Sequence, residues 1–301
     1  MSLSLLKKVC TKCKPSSIKT YWANIQSLAR VAGRDAIPSG ASWLSDALLK
    51  RVRAMPLNQF KRHTTAGVKA AQMYGAKRPK WSKAMGEASD RYSKIRESGK
   101  RTKREHENWP KDGYKALGAL ARTLHSEQVH LERKKTWNNR DLYHYQKYLV
   151  VLFYSKHALR GDLADVRYKK PFGPNWLQKT GSEYKLNIGE HKTSWAHGPI
   201  KLTLGGALAE ALNTFLPQVR RLTTHGYLLS TLRTGNRLQR QDMLRLIRNT
   251  TRDRLGKNIG VQLIRVLKVS GAAAEIDKAT ALQKELGHSG AMQRRYISRD
   301  N

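Results

Sequence analysis

Five side chains in this 301-residue sequence have the types and order for phosphate chemistry: Arg160, Lys192, Arg265, His288 and Tyr296. Two arginines, a lysine, a histidine and a tyrosine are the groups with which a protein can break a phosphodiester using its own hydroxyl. Attack on phosphorus spreads negative charge over the non-bridging oxygens, and preorganised cationic donors must meet it. Arginine suits that task, because its planar fork gives two parallel hydrogen bonds to phosphate and stays protonated. Arg160 closes an apolar helical stripe, and Arg265 sits inside the apolar run 261–269, where an unpaired charge is costly. Free tyrosine titrates near 10, so only about one in a thousand molecules is phenolate at neutral pH. A nucleophilic Tyr296 therefore requires a cationic pocket or a base.

Lys192 lies in the run His191-Lys192-Thr193-Ser194, between two alternating apolar patterns. A lysine at such a turn can reach into a cleft and protonate a leaving oxygen. It can equally be a solvated charge, and Lys201 is its nearest competitor. His288 follows a glycine, as a helix cap often does, and can also hydrogen-bond a phosphate or steady the pocket.

The elements that must position these groups read as helical in the N-terminal part. Residues 1–15 form a basic tail. Ser16 and Ser17 are placed to cap a helix in which Ile18, Tyr21, Trp22, Ile25, Leu28, Ala29 and Ala32 recur at helical spacing. Further helices are expected over 41–54, 56–74 and 79–98, giving an all-α domain over 16–98. Residues 96–108 contain no apolar side chain, so 99–108 reads as a charged linker. From Trp109 onward helical stripes resume and end at Arg160. Then Tyr184, Leu186 and Ile188 alternate, as do Ile200, Leu202 and Leu204, with 175–179 as a third strand. Helical patterning returns over 207–216, 239–255, 259–268 and 278–286. The expected fold class is α+β, mostly helical, with a small antiparallel sheet in a C-terminal domain over 109–301.

Charge bounds the partner. Lys and Arg number 58 against 22 Asp and Glu, a formal net charge of +36. No apolar run approaches the roughly 20 residues of a membrane span, and the N-terminus lacks a secretory pattern. An intracellular protein working on nucleic acid is the expectation, though ribosomal or packaging proteins share such a charge. The only cysteines, Cys10 and Cys13, have no second pair to complete a zinc site and read as free thiols. No metal and no other cofactor is expected.

Taken jointly, the motifs resemble the tyrosine recombinase (phage integrase) family. Arg160-Gly161-Asp162-Leu163 is similar to its first arginine box, in the style of viral and mobile-element members. Gln262-Leu263-Ile264-Arg265 occupies its H-x-x-R box, and Leu286-Gly287-His288-Ser289 reproduces its LGHS run, with His288 23 residues after Arg265. Tyr296 follows His288 by 8 residues, close to the usual spacing. The resemblance spans Ser16 to the end and implies a helical core-binding domain followed by a catalytic domain. It implies Arg160, Lys192, Gln262, Arg265, His288 and Tyr296 as the site, double-stranded DNA as substrate, and a 3′-phosphotyrosyl intermediate. It further implies self-assembly into a dimer or tetramer on DNA.

The sequence departs from the pattern in two places. Gln262 stands where histidine is common, and an amide cannot accept a proton as a base. Only Ile297–Asn301 follow Tyr296, where many relatives use a longer segment to dock on a neighbour, so assembly is expected to run otherwise or more weakly. Three readings stay open: an active recombinase or integrase, a catalytically silent DNA-binding descendant, and an unrelated RNA-binding or packaging protein.

Overall fold

The computed structural model describes residues 3–11, 13 and 15–285. The chain forms two compact units, residues 1–101 and 102–301. The fold is α+β and mostly helical, with one small antiparallel sheet.

The first unit is all-helical: α1 (Leu3–Val9), α2 (Pro15–Val31), α3 (Asp46–Arg53), α4 (Leu57–Met73) and α5 (Pro79–Glu97). Its tightest seam joins α4 to α5. There Gly67 meets the Trp81 ring, flanked by buried Ala66, Ala70, Ala84 and Ala88. Small residues let the helix backbones approach closely enough to clamp one large indole, whose Nε1 donates to Leu44 O at 3.1 Å. Ser45 caps α3 by accepting from Leu48 N.

Three local expectations are corrected in and beside this unit. Residues 1–15 are not simply a basic tail, because Leu3–Val9 is helical with Leu6 and Cys10 buried in the core. Leu3, Leu5 and Leu6 supply the apolar face among the lysines. Nor do Ser16 and Ser17 precede α2: the helix starts at Pro15, whose fixed φ suits a first turn. The charged segment 99–108 contains a helix, α6 (Lys103–Asn108), which belongs to the second unit. A reciprocal capping box starts it, with Glu105 N donating to Thr102 Oγ1 and Thr102 N donating to Glu105 Oε2. Such a helix start needs no apolar residue. The far end is tied down where Asn258 N donates to Asn108 Oδ1 at 2.7 Å.

The second unit is built on α7 (Lys115–Glu132), α8 (Asn139–Lys156) and α10 (Ala207–Leu222). Helix α8 runs through the core, with every residue from Tyr148 to Tyr154 buried. An Asn138–Asp141 capping box begins it. The sheet has the order β1–β2–β3, from β1 (Asn175–Thr180), β2 (Glu183–Ile188) and β3 (Ile200–Leu204). Gly181, with φ of 60°, makes the two-residue turn between β1 and β2. Tyr184, Leu186, Ile188 and Leu204 are buried, which follows from the period-2 alternation. A short turn of helix, α9 (Ser194–His197), lies in the β2–β3 connection. Then come α11 (Arg240–Leu255), α12 (Val261–Gly271) and α13 (Ala273–Glu285). Among the described residues, no helix is long and apolar enough to cross a membrane.

Candidate active site

Arg160 hangs from the C-terminal end of the most buried helix. The Tyr154 hydroxyl, near the end of α8, donates to Arg160 O at 2.8 Å, and the Tyr114 hydroxyl donates to Tyr154 O at 2.8 Å. Burial pushes the Tyr114 hydroxyl up to about 12 and raises Tyr154 further, so both remain protonated donors. Immediately after Arg160, a single 3₁₀ turn (Gly161–Asp165) is pinned to the segment around the start of α11. Asp162, buried, pairs with Arg240 at 3.0 Å, and Asp165 pairs with Arg237. The Arg160 backbone is thus held on both sides.

Its side chain crosses to the β2–β3 connection. Arg160 Nη1 donates to Thr193 Oγ1 at 3.1 Å. Thr193 in turn faces buried His191, whose Nδ1 lies 3.4 Å from both Thr193 N and Thr193 Oγ1. His191 Nε2 lies 2.9 Å from Gly198 O, a group that can only accept. The imidazole proton therefore sits on Nε2, leaving Nδ1 to accept from Thr193. Lys192, between these two residues, is exposed. Lys201, by contrast, lies on β3 opposite Asn187. The structure therefore brings Arg160 to the segment that carries Lys192.

Gln262 and Arg265 sit three residues apart on α12, hence on one side of it. Leu263, Ile264 and Leu267 anchor the opposite side in the core, while Arg265 is half-buried and Gln262 exposed. The helix is aimed by its N-terminal connection, where Gly256 takes a left-handed φ of 61° and Ile259 N donates to Thr251 Oγ1 at 3.0 Å. One turn past Arg265, Lys268 Nζ donates to Lys156 O at 2.6 Å, tying α12 to the α8 terminus that precedes Arg160. Among the described residues, no hydrogen bond or ion pair engages the Arg265 guanidinium or joins it to Arg160 or Lys192. His157, the α8 cap between Lys156 and Arg160, is held below the usual imidazole range by burial and by the Lys268 and Lys156 charges.

His288 and Tyr296 lie outside the described residues. The residues that sequence motifs miss are Thr193 and His191, which connect Arg160 to the loop. Their signal is their placement beside Lys192 in a short inter-strand segment, where a buried histidine can order a turn.

A cavity of about 400 Å³ lies between α7, α8 and α10, lined in part by Glu132, Glu210, His125 and Tyr148. Arg122 and Lys156 in the same lining offset its two carboxylates, and none of the predicted site residues line it. In the other unit Cys10 and Cys13 are free thiols, with the Cys10 thiol pushed up by burial and by its hydrogen bond with Cys13.

No protein-family model matches this chain, and no curated protein matches it. Among solved structures, the crystal structure of XerA recombinase is similar at 14% identity, covering 99% of this chain and 93% of that chain, with a TM-score of 0.36. At that score the likeness carries no argument about activity.

Proposed function

We propose that the chain is a DNA strand transferase that cuts and rejoins duplex DNA through a 3′-phosphotyrosyl intermediate. The observation that carries this reading is the hydrogen bond from Arg160, at the end of α8, to Thr193 in the loop that presents Lys192. Two cationic groups far apart in sequence thereby share one short stretch of surface. The order of Arg160, Lys192, Arg265, His288 and Tyr296, with the LGHS run, supports the same reading.

In this mechanism Arg160 and Arg265 hold the non-bridging oxygens of the scissile phosphate, with Gln262 and His288 as further donors. The Tyr296 oxygen attacks phosphorus as its proton leaves to a base or water. A bond forms between phosphorus and the phenolic oxygen, and the bond to the 5′ oxygen breaks. Lys192 supplies the proton to that departing oxygen. The ester retains the energy of the broken backbone bond, so religation to a second strand needs no ATP. The helical unit carrying residues 16–98 would grip the duplex, and copies of the chain would assemble on DNA. Integration or excision of a mobile or viral element is the setting that suits such chemistry.

A second reading, a DNA-binding protein without cleavage, is favoured by one observation. Gln262 stands where a base would help, and general-base catalysis is worth roughly 10²–10⁴-fold. The deciding experiment is denaturant trapping of protein–DNA adducts with EDTA present, alongside Tyr296→Phe. Adducts with wild type alone support the transferase. Binding without adduct supports the second reading, and a salt-independent affinity eliminates both.

A further inference from the structure

Trp195 is 85% exposed, whereas the other large apolar side chains on the described surface range from 38% to 59%. A nearly bare indole is unusual because tryptophan gains more from burial than most residues. Here it does not hang from a slack loop. Gly198 N donates to Ser194 O at 2.8 Å, Ala196 N to Thr193 O at 3.1 Å, and His197 N to Thr193 O at 3.1 Å. Ser194 Oγ donates to His191 O at 3.0 Å, and His191 Nε2 closes the turn on Gly198 O. Gly198, with φ of 67°, makes the exit that a side chain would strain. These bonds tie the turn to itself, and it holds its tryptophan outward.

The same turn is bonded to Arg160 through Thr193. Lys192 and His197 in the turn and Lys201 just beyond it are exposed, and residues 191–201 contain no carboxylate. An exposed indole on a cationic turn is the arrangement that engages nucleic acid, with charge meeting phosphate and the ring meeting a base. From this geometry we infer that Trp195 is a base-contacting wedge, stacking on or inserting beside a nucleobase next to the phosphate held by Arg160. The inference rests on the reading that Arg160 binds DNA phosphate. It adds a residue that would position the strand and that needs no hydrogen bond to a base edge. The contact is consequently sequence-tolerant, with preference only for easily unstacked steps.

The test compares the full-length wild type with Trp195→Phe and Trp195→Ala on a mixed-sequence duplex carrying 2-aminopurine, titrated with NaCl. Because the ring is exposed, all three proteins should melt alike. Trp195→Ala should bind about tenfold more weakly at each salt concentration with an unchanged salt slope, since a stack and no phosphate contact is lost. Trp195→Phe should recover most of that loss, and the 2-aminopurine response should disappear only in Trp195→Ala. Unchanged affinity and probe response in Trp195→Ala overturn the wedge while leaving the phosphate reading intact. A change in sedimentation without a change in DNA affinity overturns it too, assigning Trp195 to a contact between copies of the chain. If wild type itself shows no salt-dependent binding, the underlying DNA reading fails, and the wedge with it.

Discussion

Arg160 and Thr193 are 33 residues apart in sequence, yet the guanidinium of one donates to the hydroxyl of the other at 3.1 Å. That contact sets where the cation points, because the Arg160 backbone is already held by the Tyr154 hydroxyl and by the turn that follows. Thr193→Val keeps the shape and removes the acceptor. The expected result is a loss of about tenfold in adduct formation, the lower end of what a hydrogen bond to a charged group is worth. Thr193→Ser should retain activity. Equal adduct rates in wild type and Thr193→Val would show that the contact does not orient Arg160.

The ion pair between Asp162 and Arg240 has one buried end and one half-exposed end, at 4% and 44% side-chain exposure. Removing the exposed partner strands a buried carboxylate. Arg240→Met should therefore lower stability by about 2 kcal/mol, less than the roughly 3–5 expected when both partners are buried. Asp162→Asn, neutral and nearly isosteric, should cost less. Denaturant midpoints of the two variants decide the order, and a larger loss for Asp162→Asn would contradict it.

Gly67 tests the seam of the helical unit. Alanine is the better helix former by about 1 kcal/mol. A Cβ at this position would lie 2.2 Å from the Trp81 ring, whose indole is buried and hydrogen-bonded. Overpacking costs typically about 1–3 kcal/mol, and displacing a fixed ring puts this site at the upper end. Gly67→Ala should destabilise the unit by about 2 kcal/mol net, read from a thermal or denaturant transition. A stabilised variant would mean that Trp81 can move.

Gln262 and Arg265 share one side of α12, so a base introduced at 262 would stand beside the second arginine. Gln262→His should speed adduct formation by at least about tenfold and give the rate an acid limb near the imidazole pKa. Rates that do not rise would remove position 262 from the proton-transfer step.

Four histidines, His63, His144, His157 and His225, are held below the usual imidazole value, chiefly by burial. As pH falls, the unfolded chain takes up these protons first, near 6.5, while the folded chain resists. Stability is thus fully present above about 6.5 and declines below it until the lowered folded values are reached. Melting temperatures should drop as the pH is lowered through and below about 6.5, and His63→Leu should reduce that slope. A melting temperature that rises on acidification would contradict the argument.

Much of the architecture was legible because local patterning and burial agree. The alternation of Tyr184, Leu186 and Ile188 became β2, and the apolar stripe ending near Arg160 became α8, buried throughout from Tyr148 to Tyr154. Element ends were less legible. The helix at Leu3–Val9 hides among lysines, and the start of α6 depends on a Thr102–Glu105 capping box within an entirely polar run. Apolar periodicity is blind to both, since one is short and the other buries nothing.

Residue types and order alone single out the groups proposed for phosphate chemistry, because charge and hydrogen-bonding capacity belong to the side chain wherever it lies. Only the tertiary structure decided that Arg160 meets the Lys192 segment through Thr193, that Lys268 ties α12 to the end of α8, and that Trp195 is turned outward. Those relations depend on how a sheet connection and two helix ends pack around α8. Sequence separation carries no information about which distant surfaces will be buried together, and burial is what sets these positions.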